Sequence, residues 1–417
     1  MLPKFLSFCG ILALMGLAWI FSENRNRFPW KTVLWGLGLQ FILGVLVLGI
    51  PALGVPGVLA FVFTGLNDLF MKLIGYTDQG AQFLFGSLTD PSKNWGFIFA
   101  FKVLPSIIFF SALTAIFYHL GILQRVVNFL ARIMVKTLGT SGAESLSTAG
   151  NIFLGQTEAP LLIRPFVPLM THSELFLIMA GGMANTAGGV LAAYVGLLST
   201  RIPDIAGHLI TMSVLSGPAS VVICKIMVPE TAKPQTSGFI SLKDEKIDAN
   251  VIEAAARGTT EGLQLALNVA AMLIAFIALI AALNGLFGWV GGLIGFPQLS
   301  MQWILGWLFS PIAVILGIPW SEAAQAGALL GEKVVMNEFV AYVHLTEIAG
   351  QLSDRSVLIL SYALCGFANF SSVGILLGGL GAMAPERRGE LAKMGVRAVI
   401  GGNLAAFMTA AFAGMLT

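Results

Sequence analysis

Glu158 and Glu338 are the residues whose surroundings call for chemistry. Each sits in a polar run inside oily sequence, with Asn151, Gln156 and Thr157 before the first carboxylate and Glu332, Lys333 and Asn337 before the second. An ionisable group at the centre of a membrane helix costs at least ~2.5 kcal/mol, so carboxylates retained there face the protein interior and mark function. About thirty residues after each run comes an Asn in a helix-breaking context: Asn185 within 181–189, flanked by two Gly pairs, and Asn369 within Gly366-Phe367-Ala368-Asn369-Phe370-Ser371-Ser372. Two carboxylates among amides and hydroxyls argue against an anionic substrate and favour a neutral, polyhydroxylated one. Carboxylates accept from sugar hydroxyls in charge-assisted bonds, Gln156 can donate to and accept from a nucleobase edge, and Phe367 offers an apolar face. Carbonyls freed by unwinding at 185–188, with the side-chain oxygens of Asn151 and Asn185, suit a Na⁺ ion.

These residues need a membrane scaffold to hold them. Charged residues make up 11% of the 417-residue chain, hydrophobic ones 57%, and the mean hydropathy is +0.86, against roughly 25% charged in soluble domains. The expected fold class is an all-α polytopic membrane protein with eight transmembrane helices, two re-entrant hairpins and interfacial helices. The net charge of +2 implies nothing about nucleic acid, and Cys9, Cys224 and Cys365 lack metal-ligand spacing, so no resident cofactor is expected. No nucleophile pairs with a His, which argues against a membrane enzyme, and paired hairpins argue against a continuous channel.

In order, spans are expected at 5–21, 33–50 and 97–120, with an interfacial helix at 58–74 and a loop at 75–96. A first re-entrant hairpin follows at 143–167, too polar for lipid and too apolar for a solvated loop. Span 4 (173–198) is broken at its glycines, span 5 covers 205–227, a hydrophilic loop runs over 229–257 and span 6 covers 262–287. The stretch 291–319 either crosses or lies on the surface. The non-crossing choice keeps Arg387, Arg388, Lys393 and Arg397 on the same side as Arg25, Arg27 and Lys31, the cytoplasmic side by the positive-inside rule. A second hairpin at 321–345 then enters from the opposite side, followed by the broken span 7 (356–380) and span 8 (394–415), with both termini periplasmic. The two copies of hairpin, broken helix and straight helix form an inverted internal repeat, with broken helices 4 and 7, the pattern that puts a transporter's binding site at the midplane. Structural roles are expected elsewhere: Glu144, Glu322 and Glu332 as capping or hairpin-edge charges, Lys102 snorkelling, Lys333 and Arg164 near hairpin ends, and His119, His172, His208 and His344 solvated at span ends.

Three stretches, Gly331-x-Lys333-x-x-x-Asn337-Glu338-Phe339-Val340-Ala341-Tyr342, Asn151-x-x-x-Gly155-Gln156-Thr157-Glu158-Ala159-Pro160 and Cys365-Gly366-Phe367-Ala368-Asn369-Phe370, resemble motifs of the concentrative nucleoside transporter family, in its bacterial eight-span form. The resemblance implies an ion-coupled nucleoside symporter of the bacterial inner membrane, a homotrimer working by an elevator-type alternating-access movement. It implies scaffold parts at 1–120 and 229–320, and transport parts at 121–228 (first repeat) and 321–417 (second repeat). Gln156, Thr157 and, through water, Glu158 would meet the nucleobase, Val190 and Phe367 would line its apolar side, and Glu338, Asn369 and Ser372 would hold the ribose. The family's Na⁺ site maps to Asn151, the Leu154 carbonyl, Asn185 and the Thr186 carbonyl. Position 185 departs from the family, where Ser is common, and some bacterial relatives use H⁺, so Na⁺ is the favoured coupling ion and H⁺ the alternative.

Overall fold

The computed structural model describes residues 2–49, 57–90, 98–199, 201–241 and 248–417. Pro51, Gly54 and Pro56, part of the expected 75–96 loop, and Lys243 and Lys246 lie outside the described residues. Among those described, all regular structure is helical. Helices α1 (Leu2–Ile20) and α2 (Trp30–Leu48) are apolar spans, and α3 (Ala60–Phe85) is amphipathic. Helices α4 (Phe99–Lys102) and α5 (Leu104–His119) form one span, interrupted just before Pro105, and α6 (Ile122–Leu138) is amphipathic. The first hairpin consists of α7 (Gly142–Gly150), a turn, and α8 (Glu158–Leu161). Helices α9 (His172–Met183) and α10 (Gly188–Leu198) are the halves of a broken span, α11 (Ile205–Met227) is continuous, and α12 (Val251–Leu293) runs for 43 residues. Helix α13 (Met301–Ile315) turns through 115° into α14 (Trp320–Val335), which forms the second hairpin with α15 (Glu338–Ile348). Helices α16 (Asp354–Leu364) and α17 (Phe370–Met383) are the second broken span, and α18 (Arg388–Leu416) closes the fold.

Seven helical stretches are long and apolar enough to cross a membrane among the described residues, and the broken pair α16–α17 supplies the eighth span. Helices α13 and α14 are not one bent span. They fold back on each other so closely that a Cβ on Gly327 would lie 2.4 Å from the Gly306 carbonyl oxygen.

Polar contacts sort the chain ends into two faces. On one, Glu23 meets Arg397 and His172, and His172 Nδ1 lies 2.7 Å from Glu390. On the other, Lys4 Nζ donates to the Leu416 carbonyl (3.4 Å) and Arg355 donates to the carbonyls of Gly317 and Gly414. The cluster at 387–397 thus shares a face with the turn after α1, as the non-crossing choice for 291–319 requires. The first hairpin enters from that face, where Thr32 Oγ1 donates to the Leu138 carbonyl and Gly142 N–H to the Thr236 carbonyl. The second enters from the opposite face, where Ser353 bonds Glu322.

Two expected boundaries move. The stretch 75–85, read as loop, continues α3. Gly75 and Gly80 have open space around them, and Asp78 is tied to Lys102 at 2.8 Å, so Lys102 is paired as well as placed at the span end. Helix α12 starts at Val251 rather than near 262, because Asn250 caps the N–H groups of Ile252 and Glu253. Arg257 grips both oxygens of Asp248 and also bonds Glu261. That guanidinium holds the Asp248 carboxyl below the usual carboxylate range.

Burial separates an inner from an outer set. The best apolar windows of α9–α10, α11 and α18 are 89% buried, those of α1, α2 and α5 28% and that of α12 22%. Small residues let the outer pair α5 and α12 touch: a Cβ on Gly258 or Gly262 would come within 2.8 Å of backbone at Ala112 or Ile108. Close backbone approach of this kind is how helices associate where lipid removes the hydrophobic drive.

Candidate functional site

The sequence builds the site by stopping helices halfway. At the second hairpin, Met336 leaves helical geometry and the Asn337 side chain caps the Val340 N–H, so Glu338 becomes the first residue of α15. At the second break, Asn369 caps Ser372 N–H (3.0 Å) and starts α17. The first break spans 184–187 between α9 and α10. The two breaks cross in contact, with Phe367 N–H donating to the Asn185 carbonyl at 3.3 Å. Gly366 makes the crossing possible: its φ is +144°, and a Cβ there would lie 2.9 Å from the Ala184 carbonyl oxygen.

Around this crossing a continuous polar chain joins both repeats. Gln156 Nε2 donates to Ser372 Oγ (3.1 Å), Ser372 N–H to Asn369 Oδ1, and Asn369 Nδ2 to Glu338 Oε2 (2.9 Å). The other carboxylate oxygen of Glu338 accepts from the Tyr194 hydroxyl at 3.0 Å. Gln156, Glu338, Asn369 and Ser372 are all buried, and Gln156 Oε1 has no hydrogen-bond partner, leaving a buried acceptor at the site. Phe367 is half-buried at the crossing, and Val190 is buried one turn before Tyr194 on α10. Thr157 is half-buried beside Gly379. Glu158 stands apart: it is exposed, and its carboxylate turns back to accept from the Gly155 N–H of its own hairpin.

The residues mapped to the ion site are also together. Asn151 Nδ2 donates to the carbonyls of Gly181 and Gly182 (2.9 and 3.2 Å). Asn185 Nδ2 donates to those of Asn151 and Ser213 (3.0 and 3.2 Å), while Asn185 Oδ1 accepts from Thr186 N–H. Leu154 is buried in the hairpin turn, and the buried Thr186 hydroxyl has no partner. The cluster is rich in oxygen, as an alkali ion requires, but Asn185 presents its NH₂ to the carbonyls. A half-turn of that carboxamide would bring its oxygen to them instead.

Several functional-looking residues were not legible as such. Tyr194 is fully buried, stacked on Tyr342 (centroids 4.1 Å, interplanar 19°) and edge-on to Phe339. Its only sequence signal is a hydroxyl in the middle of an apolar run. Glu332, read as a hairpin-edge charge, is fully buried and bonded to His344 Nδ1 (2.8 Å) on the other arm and to Gln302 (2.9 Å) of α13. His344 therefore clasps the hairpin arms rather than standing free in solvent. Glu144 does cap α7, but it is also buried against Lys225, which donates in addition to Ser173 Oγ at 2.9 Å. Lys333, expected near a hairpin end, is fully buried near the tip.

Comparison with known proteins agrees with this architecture. Sequence profiles match over residues 9–88 (Na⁺ dependent nucleoside transporter N-terminus), 100–201 (nucleoside recognition) and 208–414 (Na⁺ dependent nucleoside transporter C-terminus). An uncharacterized transporter of Haemophilus influenzae is 44% identical over 98% of this chain and 97% of its own length. Solute carrier family 28 member 3 of Homo sapiens is 41% identical over 99% of this chain, which spans 60% of that longer protein. Among solved structures, CNTnw in an inward-facing substrate-bound state superposes with a TM-score of 0.91 at 43% identity, covering 100% of this chain and 98% of that one. A variant of CNTnw in an outward-facing state gives 0.92 at 42% identity, covering 100% and 99%. With both halves of the chain, the nucleoside-recognition segment and the whole fold matched, the chain belongs to the concentrative nucleoside transporter family.

Proposed function

We propose that the protein concentrates nucleosides into the bacterial cell by cation symport across the inner membrane, with Na⁺ as the coupling ion. The observation that carries this reading is the chain Gln156–Ser372–Asn369–Glu338, which draws a nucleobase-type amide and a ribose-type carboxylate from opposite hairpins into one hydrogen-bonded series. Gln156 and Thr157, with Glu158 through water, meet the base, Val190 and Phe367 cover its apolar side, and Glu338, Asn369 and Ser372 take the ribose hydroxyls. Na⁺ binds among Asn151, the Leu154 carbonyl, Asn185 and the Thr186 carbonyl after Asn185 turns its oxygen inward. Ion binding orders the first hairpin, and nucleoside then bridges the two. The movement is favoured only when both are bound, because a ligand shifts a conformational equilibrium only through differential affinity for its states.

The movement itself is of elevator type. The scaffold comprises 1–120 and 229–320 and the transport parts are 121–228 and 321–417, a partition supported by the inner and outer burial classes. Helix α13 is a refinement: its backbone contact with α14 makes it travel with the second hairpin. Three copies assemble about the scaffold, with both termini periplasmic. Uridine uptake into proteoliposomes is expected to rise several-fold under an inward Na⁺ gradient. Uptake indifferent to both Na⁺ and pH gradients would remove the symport reading.

A second reading, H⁺ coupling, is favoured by the Asn185 amide, whose NH₂ already satisfies two of the carbonyls around the ion site. Asn185→Ser decides between them. With Na⁺ coupling, the hydroxyl raises Na⁺ affinity and shifts the Na⁺ activation curve to lower concentration. A curve that ignores both Asn185→Ser and Asn185→Ala, together with pH-driven uptake, would establish H⁺ instead.

A further inference from the structure

The two repeats meet the same electrostatic demand in different ways. In each, a hairpin arm and a half-helix end their C-termini together at the site: α7 at Gly150 beside α9 at Met183, and α14 at Val335 beside α16 at Leu364. A helix C-terminus is equivalent to roughly −0.5 charge, so each pair presents about one negative charge to the interior.

In the second repeat that charge is met by a side chain of the protein. Lys333 is in the last turn of α14, with 0% of its surface exposed. Its Nζ donates to the Ala363 carbonyl in the last turn of α16 (2.7 Å) and lies 5.3 Å from the centre of the Phe407 ring. In the first repeat the side chain on the corresponding carbonyls, Gly181 and Gly182, is the neutral amide of Asn151, with the Ala184 N–H also on Gly181, and neither α7 nor α9 has a basic residue in its last turn. The carboxylates differ in the same sense. Glu338 lies five residues after Lys333 in its hairpin, whereas Glu158 turns back to accept from the Gly155 N–H.

We propose that Lys333 is the resident cation of the second repeat, standing where a recruited monovalent cation stands in the first, so that each nucleoside travels with one recruited cation. The inference rests on the symport reading above and gives it a stoichiometry. It also makes Lys333 a positioning residue: the ammonium holds the end of α16 against the hairpin that carries Glu338 and touches no substrate itself. Removing the ammonium while leaving an oxygen in its place, as in Lys333→Gln, turns the second repeat into a second recruited-cation site. Lys333→Met, of similar length and without a comparable ligand oxygen, leaves the two C-termini uncompensated.

The experiment uses the full chain reconstituted in liposomes and purified in detergent. Wild type is expected to move one net charge per uridine, with a Na⁺ activation curve of Hill coefficient about 1, and Lys333→Gln to approach 2, since that coefficient can rise to the number of coupled sites. At low Na⁺, Lys333→Gln uptake should fall by about tenfold or more, equivalent to ~1.4 kcal/mol, and recover at high Na⁺. Lys333→Met should fall without recovery. The melting temperature of Lys333→Gln should rise more than that of wild type when choline chloride is replaced by NaCl, a response that a purely structural lysine would not produce. Two charges per uridine in wild type, or a Lys333→Gln protein whose Hill coefficient and Na⁺-dependent melting match wild type, would overturn the proposal. If wild type moves no uridine under any gradient but the melting difference persists, the symport reading fails and the resident-cation assignment stands.

Discussion

Glu338→Gln keeps the fold and lowers concentrative uridine uptake by about 10- to 150-fold, the range set by losing a hydrogen bond to a charged group, about 1.5–3 kcal/mol. Both carboxylate oxygens already have donors, Tyr194 on one side and Asn369 on the other. A carboxylate has lone pairs left for ribose hydroxyls beyond those two bonds. A glutamine in its place offers a single oxygen: with its NH₂ toward Asn369 it makes a donor–donor contact, and with its NH₂ toward Tyr194 it forces that hydroxyl to accept where it now donates, so neither orientation keeps both supporting bonds as they are. The loss should therefore appear in ribose recognition. Calorimetric binding of uridine should weaken far more than binding of 2′,3′-dideoxyuridine, and preference between the two should collapse. Tyr194→Phe should reproduce the collapse in part, because the carboxylate keeps Asn369 and loses one anchor. Near-normal uptake by Glu338→Gln would remove the ribose role from this residue.

Gly366→Val is expected to abolish transport by prising the two breaks apart. With φ at +144°, the backbone is in territory that side chains rarely enter, and the added Cβ would stand 2.9 Å from the Ala184 carbonyl oxygen and 3.1 Å from that of Met183. Strain of this kind costs about 1–3 kcal/mol per residue, and here it falls on the contact that holds Asn185 and Phe367 together. A glycine in the last turn of α9, just before the first break, provides the control. A Cβ on Gly182 would meet Gln156 Cβ at 3.5 Å, an ordinary contact, so Gly182→Ala should fold and transport close to wild type. Melting temperature and uridine uptake, measured together, separate the two variants. Wild-type uptake by Gly366→Val would mean that the breaks need not touch.

The hairpins and broken helices were legible because lipid forbids unsatisfied polar backbone and side chains. Glu158 and Glu338 amid amides, and Asn185 and Asn369 amid small residues, left few other structures open. The helix limits were less legible. Gly75 and Gly80 read as loop yet lie within α3, and Glu253 and Arg257 read as aqueous sequence yet open α12, where Asn250 and Asp248 provide the cap and the ion pair. Contacts made only by tertiary approach were not legible at all. Glu332 and His344 are 12 residues apart across a bend, and Tyr194 and Glu338 are 144 apart, so no spacing rule joins them. Lys225 likewise gave no signal of its ion pair with Glu144, 81 residues away. The three cysteines are free thiols, Cys224 and Cys365 buried and Cys9 half-buried.

At 1.5 Å per residue, the 43 residues of α12 form a rod about 65 Å long, roughly twice the ~30 Å hydrocarbon layer. An unbroken rod of that length is a ruler built into the molecule. Spin labels replacing the exposed Ile252 near its start and the exposed Val396 on α18 would report any sliding of the inner helices as a change in distance. A carrier that only opened and closed its hairpins would leave that distance fixed, whereas one that lifts its cargo must write the length of the stroke on it.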